Sequence, residues 1–197
     1  MKAKRGLSTR CAHAGARDER DGANAPFQTP IVQSTLFDLG RSDEAEAIFS
    51  GAQPGYAYSR FGNPTVERLA EAIADLEGGA GALITSSGNA AVLCAVVAAM
   101  EDRTGPLVTH QDIYGGSFEL LQILASVCRL PVVTVDSTDA AAWSVAVAGA
   151  GAVLLETPSN PLMRLIDLSA TIAAAKAGGA PVIVDNTVAT PFNQRPL

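Results

Sequence analysis

Ala152-Val153-Leu154-Leu155-Glu156-Thr157-Pro158-Ser159-Asn160-Pro161, followed by Val182-Ile183-Val184-Asp185-Asn186-Thr187, is the part of the chain that decides the fold. Each stretch opens on a short, unbroken apolar run and closes on polar residues. Between them, Leu168 to Ala177 predicts a helix that stops at Gly178-Gly179. Strands apolar on both faces and separated by helices belong to a parallel sheet covered on both sides. The same alternation continues upstream. Strands are predicted at Ala82–Thr85, Pro106–Thr109 and Val132–Val135, with helices from Asn89 to Met100, through Phe118 to Val127, and from Ala140 to Val147. Before these, Asn63 suits a helix N-cap and Pro64 the first helical position. Val66, Leu69, Ala70, Ile73 and Leu76 then repeat on one face until Gly78-Gly79. The fold class is α/β, and right-handed crossovers gather the loops after the strands on one edge, where open sheets bind ligands.

Composition narrows the function. The 197 residues are 48% hydrophobic, 17% charged and 5% aromatic, which fits a compact α/β protein of one or two domains. A net charge of −6 argues against nucleic acid as a partner, and the basic residues Lys2, Lys4, Arg5 and Arg10 read as a solvated tail. Cys11, Cys94 and Cys128, with His13 and His110, have no zinc-site spacing, so no metal is expected. The cysteines are expected to be reduced, with Cys94 and Cys128 buried as small apolar residues. No leader-like or bilayer-spanning apolar run is read, so the expectation is a cytoplasmic protein without a membrane partner. Residues 1–55 look irregular, yet Phe27, Ile31, Leu36 and Phe37 are too apolar for a solvated tail. They predict an ordered arm that buries these side chains on another surface.

The chemically suggestive residues follow strands. Ser86-Ser87-Gly88-Asn89 opens a helix, where free backbone N–H groups can bind an anion, though taken alone the turn reads first as a plain helix cap. Asp112-Ile113-Tyr114-Gly115-Gly116-Ser117 carries a tyrosine able to stack on a planar ring, or merely a surface Tyr. Glu156 to Pro161 places a carboxylate and an amide at the same edge, in a good turn sequence. Asp185 closes a strand, where a carboxylate can keep a ring nitrogen protonated or cap a loop.

Together with Tyr58-Ser59-Arg60 and Asn63-Pro64-Thr65, these motifs resemble the Cys/Met-metabolism family of pyridoxal-phosphate (PLP) enzymes. Its members include relatives of cystathionine γ-synthase, cystathionine γ-lyase and O-acetylhomoserine sulfhydrylase, and the resemblance runs from about Leu7 to Leu197. It implies an incomplete fold-type I (aspartate aminotransferase-like) large domain over residues 56–197, preceded by an arm over 1–55 that packs on a neighbouring subunit. It also implies site roles. Tyr58 and Arg60 would reach the PLP phosphate of a partner subunit, an arginine fork suiting phosphate oxygens. Gly88 and Asn89 would bind the phosphate through backbone N–H groups, Tyr114 would stack on the ring, and Asn160 would face the ring hydroxyl. Asp185 would pair with the pyridine nitrogen and, with Tyr114, is a candidate catalytic residue; Thr187 is a further candidate cofactor contact.

Some residues depart from the family pattern. Asn89 stands where the family usually has Met, and Val188 where an aromatic is commoner. Gly116 occupies the place of a reactive Cys in methionine γ-lyases, which disfavours that activity. Glu119 stands near where cystathionine-handling members place an Arg; facing the substrate it would repel a distal carboxylate, and facing outward it would be solvated. The only lysines are Lys2, Lys4 and Lys176, and none matches the Schiff-base lysine the family places shortly after the strand ending at Asp185. The resemblance therefore predicts an isolated chain that is inactive and needs a complementary chain carrying that lysine and the smaller C-terminal domain, in a homo- or hetero-oligomer acting on a small amino acid. A fragment of a longer enzyme and a non-catalytic regulatory subunit are the alternatives.

Overall fold

The computed structural model describes residues 6–16, 24 and 26–197, in two compact units: the described residues up to Ile84 together with Leu197, and Thr85–Pro196. Lys2, Lys4 and Arg5 lie outside the described residues.

The first unit holds α1 (Leu7–Ala12), α2 (Ser42–Phe49) and α3 (Pro64–Glu77). Asn63 caps α3 as its sequence demands: the side-chain oxygen accepts from Thr65 N at 2.9 Å, and Gly78 ends the helix with φ 80°. The same triplet ties down the preceding segment. Asn63 Nδ2 donates to Val32 O at 3.0 Å, while Thr65 Oγ1 donates to Pro30 O and accepts from Val32 N, both at 2.9 Å. Arg10 pairs with Asp75 at 2.8 Å, joining α1 to α3. Of the apolar stripe on α3 only Leu76 is buried; Val66, Leu69 and Ile73 remain exposed.

The helices α1 and α2 correct the expectation that residues 1–55 lack regular structure. The α2 signal was local: the Glu44 carboxylate accepts the Arg41 N–H at 2.9 Å, and Asp43 and Glu44 favour the helix start. Phe37 packs on Tyr56 at 5.3 Å between ring centroids, whereas Phe27, Ile31 and Leu36 stay exposed.

The second unit is built on a four-stranded parallel sheet of β1 (Leu107–His110), β2 (Val132–Val135), β3 (Ala152–Glu156) and β4 (Val182–Asp185), in the order β2-β1-β3-β4. Helices α4 (Gly88–Met100), α5 (Gly115–Val127), α6 (Ala140–Ala148) and α7 (Leu168–Ala177) cover it, and α8 (Thr190–Asn193) follows β4. Alternate residues of β3 enter different cores. Ala152 and Leu154 join Leu107 with Val92 and Val96 of α4 and Leu121 and Leu124 of α5. Val153 and Leu155 join Val108 with Trp143 and Val147 of α6 and Ala175 of α7. Every residue of β3 is buried, which explains its unbroken apolar run. The approach to β3 needs glycine at 151, because a Cβ there would sit 2.5 Å from Gly105 O.

Two expectations fail in or beside this unit. Residues 82–85 form no strand, since a short apolar run is a strand only when a neighbour pairs with it, and no such ladder forms among the described residues. Cys94 and Cys128 are exposed rather than buried: Cys94 lies beside Leu93 and Val97 on the outer face of α4, and Cys128 caps the end of α5. No helix of the described residues is long and apolar enough to cross a membrane, and these residues hold no cluster of metal-ligating side chains.

Candidate functional site

In a parallel sheet all strands end on one edge, so β1, β3 and β4 deliver His110, Glu156 and Asp185 to the same side of the second unit. Glu156 and Asp185 are direct partners across the β3–β4 ladder. The loops that follow add Tyr114, which precedes α5, and Asn160.

The beginning of α4 is brought to the beginning of α5 by Asn89 Nδ2, which donates to Gly116 O at 3.2 Å. Ser87 Oγ accepts from Ala90 N at 3.2 Å, and Thr85 Oγ1 donates to Ser87 O at 2.8 Å, so the turn is pinned from both sides. Among the described residues, the Gly88 and Asn89 N–H groups have no acceptor, and space is open around Gly88 where a Cβ would stand. Free N–H groups at the positive end of a 13-residue helix form an anion site.

Tyr114 is 46% exposed. A Cβ at Gly116 would fall 2.6 Å from its ring and 3.2 Å from Asn89 Nδ2, so glycine leaves the ring its place. Beneath it Glu156, only 2% exposed, accepts the Tyr114 N–H at 2.6 Å through Oε2. Burial pushes the Glu156 carboxyl up; the Tyr114 N–H opposes this, the Asp185 charge adds to it, and the Asn160 backbone N–H opposes it more weakly. A raised carboxyl is most at ease protonated. Its stabilising contribution is therefore full below the ordinary carboxylate range and is lost as pH rises through the folded value.

His110 accepts the Glu156 N–H through Nε2 at 3.0 Å, which puts its proton on Nδ1, a buried atom with no hydrogen-bond partner among the described residues. Burial holds its pKa below the ordinary histidine value, keeping the ring neutral, while the Asp112 charge pulls the other way. Asp185 Oδ1 accepts from Thr187 N at 3.1 Å and Thr187 Oγ1 at 2.5 Å, leaving Oδ2 available to a donor. The turn bearing Asn160 is fixed by Arg164 N to Ser159 Oγ at 3.1 Å and Ile166 N to Thr157 Oγ1 at 3.0 Å, and Arg164 pairs with Asp112 at 2.7 Å.

The structure thus gathers Gly88, Asn89, Tyr114, Asn160, Asp185 and Thr187 in one unit, with Glu119 exposed in the second turn of α5. Tyr58 and Arg60 belong to the first unit, where the Arg60 guanidinium lies 4.8 Å from the Tyr58 ring centroid. The sequence placed the Glu156 carboxylate at the ligand edge without a role in the site and gave His110 no place there. The only available signal was a polar residue closing each strand, which gives no direction for the side chain.

The donor set suits PLP: helix-start N–H groups for a phosphate, an exposed tyrosine for an aromatic ring, and a carboxylate with one free oxygen for a ring nitrogen. A family model described as Cys/Met metabolism PLP-dependent enzyme matches residues 8–197. L-methionine γ-lyase of Porphyromonas gingivalis is 35% identical over 194 residues, 98% of this chain and 48% of its own length. The cystathionine γ-synthase of Xanthomonas oryzae, crystallised with cystathionine, superposes with a TM-score of 0.85 at 39% identity, covering 98% of this chain and 48% of that one. An O-acetylhomoserine (thiol)-lyase structure from Campylobacter jejuni containing N'-pyridoxyl-lysine-5'-monophosphate has a TM-score of 0.83 at 28% identity, covering 98% and 47%. The chain spans about half the length of the curated relatives it matches.

Proposed function

Because the chain belongs to the Cys/Met metabolism PLP-dependent enzyme family, a fold-type I group, we propose that its second unit supplies the ring and phosphate contacts of a PLP site for γ-replacement or γ-elimination. The observation that carries this reading is the convergence of the α4 start, Tyr114 and Asp185 on one sheet edge, linked by Asn89 to Gly116 and by Glu156 to Tyr114. Gly88 and Asn89 hold the phosphate, Tyr114 stacks on the ring, Asn160 faces the ring hydroxyl, and Asp185, steadied by Thr187, keeps the ring nitrogen protonated. Bound there, PLP supplies an electron-withdrawing ring for carbanion chemistry on an amino acid.

We further propose that the covalent lysine and the C-terminal domain come from polypeptide outside these 197 residues, as a complementary chain or a continuation. Lys176 is in the last turn of α7, before β4 begins, whereas Asp185 is where β4 ends. A four-residue parallel strand alone separates those edges by roughly 10 Å. The proposed assembly is a cytoplasmic oligomer in which the N-terminal arm, with Tyr58 and Arg60, serves a neighbouring subunit.

Glu119 selects against a distal carboxylate by like-charge repulsion, so the preferred substrate carries a neutral or cationic γ-group. With the complete protein, kcat/KM for O-acetylhomoserine is expected to exceed that for O-succinylhomoserine or cystathionine by about tenfold or more. Preference for either carboxylate-tailed substrate removes the role given to Glu119, and no turnover of any of the three removes the γ-chemistry.

A further inference from the structure

Glu156 stands apart from the groups so far given a role, because it is nearly sealed from solvent yet joined to the residues on either side of the site. Its Oε2 takes the Tyr114 N–H at 2.6 Å, the Asn160 backbone N–H acts on the same carboxylate, and its own N–H is held by neutral His110 at 3.0 Å. It is also paired in register with Asp185. A buried carboxylate is costly unless donors compensate it, and here a main donor is the backbone of the residue proposed to stack on the ring.

We propose that Glu156 is a positioning residue for the cofactor ring: it anchors the backbone of Tyr114, with help from Asn160, and so fixes the stacking face without touching the cofactor. The inference rests on the PLP reading above. Tyr114 has a glycine on its C-terminal side and space preserved at Gly116, so the chain around it offers little stiffness of its own. The Glu156 bond supplies the missing restraint. The 2.6 Å contact gives this buried carboxyl a partner whose backbone position it fixes, a role that a merely space-filling side chain would not serve.

The test uses Glu156→Gln and Glu156→Asp in the complete, PLP-loaded protein. Gln keeps the size and loses the charge; Asp keeps the charge and retracts it from Tyr114. Three quantities are read: the urea midpoint, PLP affinity by titration, and the visible-region circular dichroism of bound PLP, which reports how asymmetrically the ring is held. Expected for E156Q is an unchanged or raised urea midpoint with PLP affinity weakened about tenfold and the dichroic band at least halved at saturation. E156D is expected to lose the band similarly, so either variant carries the test if the other folds poorly. An unchanged band and affinity in variants that fold overturns the positioning role while leaving the PLP reading intact. Loss of the band only in proportion to loss of stability overturns it in favour of a structural role. Failure of the unaltered protein to bind PLP overturns both.

Discussion

Asp185→Ala in the complete protein is expected to lower turnover by about 10²–10³-fold while changing PLP affinity by no more than about tenfold. The split follows from geometry. Asp185 ends β4 with Oδ1 engaged by Thr187 and Oδ2 free, which suits it to hold a proton on a ring nitrogen. The phosphate contacts proposed for this chain lie on a different element, at the N–H groups that start α4. Removing the carboxylate weakens charge stabilisation that develops during reaction and leaves the phosphate grip intact. Parallel kcat and PLP-binding measurements check it. Equal losses in both would mean that Asp185 acts as a binding anchor, and unchanged turnover would remove it from the site.

The second large effect is on stability. Leu154→Ala is expected to destabilise the chain by about 2–5 kcal/mol, because Leu154 is fully buried in β3 and packs in the cluster of Val92, Val96, Leu107 and Leu121. Lost transfer energy and the residual cavity add in such a site, since strands paired on both sides have little room to collapse. With a urea slope of about 1–3 kcal/mol per M, the midpoint falls by roughly 1 M or more. Leu165→Ala, at a side chain 77% exposed, is the control, with an effect of about 0.5 kcal/mol or less. Similar midpoints for the two variants would contradict the assignment of β3 to the centre of the fold.

The central sheet was legible because β1, β2, β3 and β4 each carry an apolar run bounded by turn residues, and the helix between β3 and β4 stops at a recognisable cap, Gly178. The run at Ala82–Thr85 has the same character and no ladder, since pairing is a property of the neighbour as much as of the strand. Cys94 was misread for a related reason. Helix α4 is apolar nearly all round, so its sequence does not distinguish the face carrying Val92 and Val96 inward from the one carrying Leu93, Cys94 and Val97 outward. In the candidate site, Asp185 and Tyr114 were readable from their places after strands, and the Ser87-Gly88 turn from the helix it opens, although the strand expected before it does not form. The Glu156–Tyr114 and His110–Glu156 bonds were not, because they join residues 42 and 46 positions apart through side-chain directions that no local pattern encodes.

The most direct measurement is borohydride reduction of the PLP-loaded complete assembly, followed by peptide mapping. The expected result is reversible PLP contact with residues of this chain and a pyridoxyl group on a lysine outside residues 1–197. A stoichiometric pyridoxyl adduct on Lys176, or on Lys2 or Lys4, would contradict it.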